Sequence, residues 1–314
     1  MLWGLLNLLR VASVLCVGAV LAQASQIDPQ CTSPLPNMAA IGGTAGGSNT
    51  TFCISDYGWS NGWFATGFPG DYPANTASNL LGDNAQAVSY TLGGTTYTSW
   101  LTPVADNRHT GSDFTVVTPI TKVSADEATS VVTDGRVDIT IDSTVINNNI
   151  KQTFTITNET AGKTLTNITF TDYFNYFPYG ASNQNLGTLT YTPVPTIEGT
   201  SVYGLWANGN YGDPGFIRSG GVCGGVGTVG CTTPSGHEIG TTSSVFQDVS
   251  LGGTLNGTNS ATNDAAGALA WTAGNLNLAK GASQAFTVEL VPEPETIALL
   301  LIGLAGIYVG RRKF

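Results

Sequence analysis

The sequence predicts an all-β fold: an antiparallel β-sandwich, immunoglobulin-like or jelly-roll-like. Three observations point there. Charged residues make up only 10% of the chain, and Gly, Thr, Asn and Ser are abundant, a secreted all-β profile rather than a disordered acidic one. Apolar residues recur with period two in several stretches, separated by turn residues. There is no heptad pattern, no long amphipathic helix and no fixed-period repeat.

Residues 1–24 read as a secretory signal peptide. Arg10 precedes the apolar run Val11–Leu21, and Ala22-Gln23-Ala24 fits the small-x-small cleavage rule, leaving Ser25 as the mature start. The apolar residues before Arg10 (Leu2, Trp3, Leu5, Leu6) leave an uncleaved anchor as the alternative. Residues 25–291 form the exported body, long enough for one large β domain or two smaller ones.

Residues 25–85 carry few strand signals and read as a loop-rich part tied down by a disulfide. They hold Gly42–Gly47 (G-G-T-A-G-G) and a cluster of rings: Phe52, Tyr57, Trp59, Trp63, Phe64, Phe68 and Tyr72. Such rings pack a small core beneath a long loop. Alternatively Trp59, Trp63 and Tyr72 stack on sugar rings as glycan contacts.

Beyond Gln86 the strand signal is continuous. Ala87–Leu92 and Thr95–Leu101 flank Gly93-Gly94, a two-residue hairpin signal. Asp113–Val123 is a strand interrupted by Pro119, which implies an edge or a bend. Arg136–Ile146 alternates, with Val137, Ile139 and Ile141 on one side and Asp138, Thr140 and Asp142 on the other. Next, Phe154 and Ile156 face inward, residues Asn158–Lys163 supply a turn, and Leu165, Ile168, Phe170 and Phe174 lead back. Thr169, Thr171 and Tyr173 take the opposite face. Alternation on both sides of a polar turn predicts an antiparallel hairpin with one buried face. Shorter strands are expected at Thr188–Thr192, Thr200–Trp206, Gly215–Arg218, Ser244–Leu251, Ala268–Thr272 and Ala285–Leu290.

The body carries 7 Lys and Arg against 19 Asp and Glu, a net charge of −12. That excludes a nucleic-acid partner, which needs a basic face. It is compatible with divalent cations, but no ligand loop is evident and no metal or cofactor is assigned. The mature cysteines are Cys31, Cys53, Cys223 and Cys231, and three connectivities are open. Loop closure favours Cys31–Cys53 and Cys223–Cys231, the first contributing on the order of 3 kcal/mol. The spacing does not match the usual zinc knuckles. Four Asn-x-Thr sequons, at Asn49, Asn158, Asn167 and Asn256, read as chance in an Asn/Thr-rich chain.

No catalytic constellation stands out, and the body is read as non-enzymatic. His109 and His237 are its two histidines; His109 has Asp106 and Asp113 near in sequence, but spacing alone assembles no triad. Asp126-Glu127 and the Asp138/Asp142 pair read as solvated turns and strand faces. The glycines of Gly220–Gly230 lack the Lys-Ser/Thr of a phosphate loop.

Residues 292–314 are a distinct tail. Pro292-Glu293-Pro294 come first, then the uncharged apolar run Thr296–Gly310, then Arg311-Arg312-Lys313. The prolines fix φ and hold the residues before them extended. As a helix the 15 residues 296–310 would rise about 22 Å, a short transmembrane span that snorkelling and bilayer thinning accommodate. The basic end stays cytoplasmic, so the body lies outside.

This three-part tail resembles the PEP-CTERM sorting signal over residues 291–314, with Glu295 a departure where Ser or Thr is commoner. The resemblance implies processing near the motif by an exosortase, a membrane-embedded cysteine enzyme of Gram-negative bacteria that make exopolysaccharide and biofilm. In that reading Pro292, Glu293 and Pro294 are the sorting motif and Arg311, Arg312 and Lys313 the cytoplasmic stop. The inner membrane holds the chain transiently before the body reaches the cell surface or the medium. Exopolysaccharide and other surface proteins are the expected partners of a structural or adhesive body. A carbohydrate-binding or carbohydrate-acting module is the alternative.

Overall fold

The computed structural model describes residues 37–42, 50–58, 60–64, 83–101, 112–146, 149–175, 187–195, 201–209, 216–221, 234–252, 254–262, 265–273 and 276–292. Within these the protein is an antiparallel β structure with one short helix. The N-terminal strands are β1 (Met38–Gly42), β2 (Thr50–Ser55) and β3 (Ser60–Phe64), followed by β4 (Asp83–Leu92), β5 (Thr95–Trp100), β6 (Thr115–Lys122), β7 (Glu127–Thr133), β8 (Val137–Ile146) and β9 (Asn149–Asn158). Then come β10 (Leu165–Asn175), β11 (Gly187–Pro195), β12 (Ser201–Gly209), β13 (Phe216–Gly221), β14 (Gly236–Thr241), α1 (Thr242–Ser250), β15 (Ser260–Thr262), β16 (Ala265–Ala273) and β17 (Ser283–Pro292).

Three sheets form. A nine-stranded sheet runs β15-β11-β12-β13-β17-β9-β8-β7-β6, a five-stranded sheet β14-β16-β10-β4-β5, and a three-stranded sheet β1-β2-β3. The strand number exceeds the seven to nine of an immunoglobulin domain and the eight of a jelly roll. One apolar core joins the layers. It takes Phe154, Ile141 and Phe286 from the large sheet, Phe170, Trp271 and Val88 from the five-stranded sheet, and Ile41, Phe52 and Ile54 from the three-stranded one. Phe170 lies at its centre, with ring centroids 4.8 Å from Phe154 and 5.4 Å from Phe286 across the interior.

Strict alternation explains why the inner strands face as they do. In β8, Val137, Ile139 and Ile141 are fully buried while the residues between them are half-buried. The β4–β5 hairpin turns on Gly93 and Gly94, both at positive φ (58° and 87°), the backbone that a type I′ turn demands. Pro119 sits in β6, the edge strand of the large sheet, where the register to β7 slips twice. Edge position and bulge are where a proline, lacking a ladder donor, is tolerated.

The expected hairpin at 149–174 is corrected. β9 pairs with β8 and β17, whereas β10 pairs with β4 and β16. The turn therefore crosses from one sheet to the other. Both strands bury one face against a common core, so alternation is satisfied equally by a hairpin or by a crossing. The crossing is fixed by Asn158, whose amide nitrogen donates to the carbonyls of Lys163 and Leu278, each at 2.9 Å. This sequon asparagine is fully buried.

Two further expectations change. Among the described residues of 25–85 lie the strands β1, β2 and β3 and the start of β4, and the turn after β2 enters the core: Gly58 donates its N–H to the Ser55 carbonyl at 3.1 Å. Ser244–Leu251 is a helix, not a strand. Thr241 caps α1 by accepting from the Ser244 N–H, and Gly252, at φ +60°, follows its end. Val245 and Val249, four residues apart, pack on Ala85, Ala87, Ala266, Ala268 and Ala270 over the outer face of the five-stranded sheet. Tyr173, expected on an open face, is buried beneath this helix. Small side chains on the sheet let the helix approach, and Trp100 closes one side by stacking on Phe246 at 5.3 Å.

Candidate functional site

The sequence-predicted residues lie in different places. Trp59 and Tyr72, with His109 and Asp106, fall outside the described residues, as do Cys31, Cys223 and Cys231 and residues 293–314. The signal peptide and the helix expected at 296–310 fall there too. Trp63 is in β3, where its backbone pairs with Thr51. Phe52 and Tyr57 pack against the main core, not in a separate small one beneath a loop. Cys53 is buried in β2 and disulfide-bonded. Asp113 accepts the Trp100 N–H at 2.7 Å and so caps the end of the β4–β5 hairpin.

Two groupings in the described residues were not anticipated. The first is a pair of carboxylates. Glu238 on β14 is fully buried beneath α1, alternating with His237 and Ile239, which face the other way. Its Oε2 accepts the Asn256 N–H at 3.3 Å, and its Oε1 has no hydrogen-bond partner. Burial holds its pKa above the ordinary carboxylate value, and the hydrogen bond its protonated form donates to Asp248 on α1, with the charge of Asp248, raises it further. The Asn256 N–H opposes the shift.

The second grouping is an aromatic ledge. Tyr191 on β11 pairs with Leu205 on β12, and Pro193 with Tyr203. Alternation therefore puts Leu189, Tyr191, Tyr203 and Leu205 on one face. Leu189 and Leu205 are buried over Gly267, where an added Cβ would come within 2.9 Å and 2.7 Å of them. That face looks into the sandwich. Tyr203, near the start of β12, is 45% exposed. His237, on that edge strand, stacks on Tyr191 with centroids 3.5 Å apart and rings 8° from parallel. Tyr203 lies 5.2 Å from Tyr191, tilted by 35°. Asn259 anchors both strands: its carbonyl accepts the Tyr191 N–H at 2.8 Å, and its side-chain oxygen meets His237 Nε2 at 2.9 Å. Burial, and then the neighbouring Tyr203, raise the pKa of Tyr191, so its hydroxyl remains a donor. The ledge was not legible beforehand because it joins β11 and β12 to β14 and Asn259, which are apart in sequence, and the carboxylate pair because a helix forms where a strand was expected at residues 244–251.

At the other end of the chain, β17 runs without interruption into the tail. It pairs with β9 from Ser283 to Leu290 and with β13 from Thr287 to Pro292, where Pro292 lies opposite Phe216. The first proline of Pro292-Glu293-Pro294 is thus the last described residue of the strand. Among the described residues no helix is long and apolar enough to cross a membrane.

Against this geometry, the family model of the PEP-CTERM protein-sorting motif matches residues 290–313. The chain carries that sorting segment, which implies an exported, exosortase-processed protein held transiently at the membrane. No curated protein matches the sequence. Among solved structures, a bacterial glucoamylase complexed with acarbose is similar at 12% identity and TM-score 0.48, over 79% of this chain and 31% of that one. This chain thus spans about a third of the glucoamylase. A galactose mutarotase related enzyme from Lactobacillus acidophilus matches at 10% identity and TM-score 0.41, over 82% of this chain and 97% of that one. A putative aldose 1-epimerase from Escherichia coli K12 matches at 12% identity and TM-score 0.44, over 82% and 99%. At these values the likenesses carry no conclusion about activity.

Proposed function

We propose that the protein is a structural or adhesive component of the cell surface or exopolysaccharide matrix, delivered there by exosortase sorting. The observation that carries this reading is the sorting segment at residues 290–313, joined directly to the last strand of a folded β body. Pro292-Glu293-Pro294 is the recognition motif, Thr296–Gly310 the membrane hold and Arg311-Arg312-Lys313 the cytoplasmic stop. The low charge of the body and its acidic balance fit a matrix component more than a nucleic-acid ligand. Disulfides Cys31–Cys53 and Cys223–Cys231 belong to the same reading, since disulfides persist in oxidising compartments. No enzymatic activity is assigned to the body.

The test is localisation of tagged protein in an exosortase-bearing host, with and without Pro292-Glu293-Pro294. The wild type is expected as a shortened, released or surface-bound form, and the deletion as an uncleaved membrane protein. An uncleaved wild type in the inner membrane removes the sorting assignment. A strain lacking the gene is expected to form a weaker matrix, read as biofilm mass; unchanged mass removes the structural role.

A further inference from the structure

The ledge at the sandwich edge presents an apolar ring face beside unspent hydrogen-bonding groups. Tyr203 is one of four large hydrophobic side chains found exposed among the described residues; the others are Val117, Val123 and Leu251. Val117 lies on β6 and Leu251 follows α1, each apart from this ledge. Tyr203 differs because it belongs to a stack whose geometry is fixed from behind. Tyr191 is wedged between it and His237, and Asn259 holds Tyr191 through the backbone and His237 through the side chain. Such backing locks ring orientation before any ligand arrives, which lowers the ordering cost of binding.

The polar groups around the rings are available. Among the described residues, neither tyrosine hydroxyl nor the Asn259 amide nitrogen makes a hydrogen bond within the protein. None of the four side chains is a carboxylate, a lysine or an arginine, and Glu238 next door points to the opposite face of β14. A ligand suited to this ledge has one apolar face and a rim of neutral donors and acceptors. Nucleic acid is disfavoured by the formal net charge of −10. A hexopyranose meets both requirements: its axial C–H bonds form an apolar face and its hydroxyls donate and accept. Few oriented polar groups around an aromatic surface are the usual composition of a small-ligand site.

We propose that Tyr203, Tyr191, His237 and Asn259 form a binding platform for a neutral saccharide, with a sugar ring stacked on Tyr203 and its hydroxyls bonded to Asn259 and the tyrosine hydroxyls. The bound sugar belongs to a polymer, because Tyr203 is exposed and offers a surface that covers only one face of the ring. His237 is a positioning residue that sets the tilt of Tyr191 and the orientation of the Asn259 amide.

Affinity electrophoresis of the full chain in detergent, through gels containing dextran, galactomannan or mixed-linkage β-glucan, tests this directly. At least one polymer is expected to retard the wild type. Tyr203→Ala is expected to weaken that retardation about tenfold, the scale of one lost stacking contact, and Tyr203→Phe to keep most of it. Asn259→Ala should weaken it less. Because Tyr203 is exposed, its variants are expected to melt with the wild type, which separates binding from folding. The platform is overturned if none of the three polymers retards the wild type, or if Tyr203→Ala migrates as the wild type does. Binding is read on purified protein, so its failure is distinct from a failure of sorting.

Discussion

Asp56 and Glu238, two of the four carboxylates buried among the described residues, have opposite surroundings. Asp56, in the turn after β2, is 2% exposed and fully engaged. Its Oδ1 accepts the Ile120 N–H at 2.6 Å, its Oδ2 accepts from the Asn37 amide at 2.7 Å, and its carbonyl takes the Ser130 hydroxyl at 2.7 Å. Those bonds tie the three-stranded sheet to the bulged edge strand β6 and to β7. Glu238 is buried completely but has one long donor, an unpartnered oxygen and another carboxylate beside it. Burying a charge costs several kcal/mol unless donors replace the lost water. Asp56 has such replacements and acts as a rivet. Glu238 lacks them, and its burial beside Asp248 raises its pKa above the ordinary carboxylate value.

The strongest way to break this contrast is Asp56→Ala. It strands the Ile120 N–H and the Asn37 amide and should cost about 3 kcal/mol, read as a shift of the urea midpoint. A cost no larger than that of an exposed carboxylate would end the rivet description. Gly58→Ala sharpens the same region. Gly58 has φ +81°, and a Cβ there would sit 2.8 Å from Phe154 Cε1 and 3.3 Å from Ile141 Cγ2. Strain and overpacking together predict a loss of about 2 kcal/mol. A neutral result would mean that the turn is not seated in the core.

Glu238→Gln should go the other way. The raised pKa means that the folded state keeps a proton that the unfolded chain releases above the ordinary value of 4.5. Its contribution is therefore fully present below that pH and is lost as pH rises through the folded value. A glutamine, neutral at every pH and able to donate to Asp248, should add about 1 kcal/mol at pH 7 and flatten the fall in stability between mildly acidic and neutral pH. Thermal melts across that range decide it. A variant that loses stability at pH 7 while keeping the wild-type slope would show that Glu238 is charged in the fold.

Much of the fold was legible because period-two alternation is a direct consequence of strand geometry. Val137, Ile139, Ile141, Phe154, Ile156 and Phe170 were all placed on the buried side, and all are fully buried. Gly93-Gly94 announced its turn, and Pro119 its edge. Other elements were not readable. α1 is only nine residues long, and its valines are common in strands; tertiary packing on the alanines of β16 outweighs that preference. β1 to β3 were hidden by the glycines and turn residues around them; in β1 and β2, Ala39, Ile41, Phe52 and Ile54 complete the large core. The ledge could not be read at all. Its signal is the pairing of Pro193 with Tyr203 and the stacking of Tyr191 on His237 from the other sheet.

The sequence alone determined the address and the faces. A tail of proline motif, apolar run and basic end works through local properties of a continuous segment, so no fold is needed to read it, and the family model matches it at residues 290–313. Alternation likewise states which side of each strand is apolar. Partners were decided only in three dimensions. Whether β9 turns back on β10 or crosses to the other sheet changes no residue's burial, so no pattern of burial can encode it. In the fold the Asn158 amide, bonded to Lys163 and Leu278, holds the crossing.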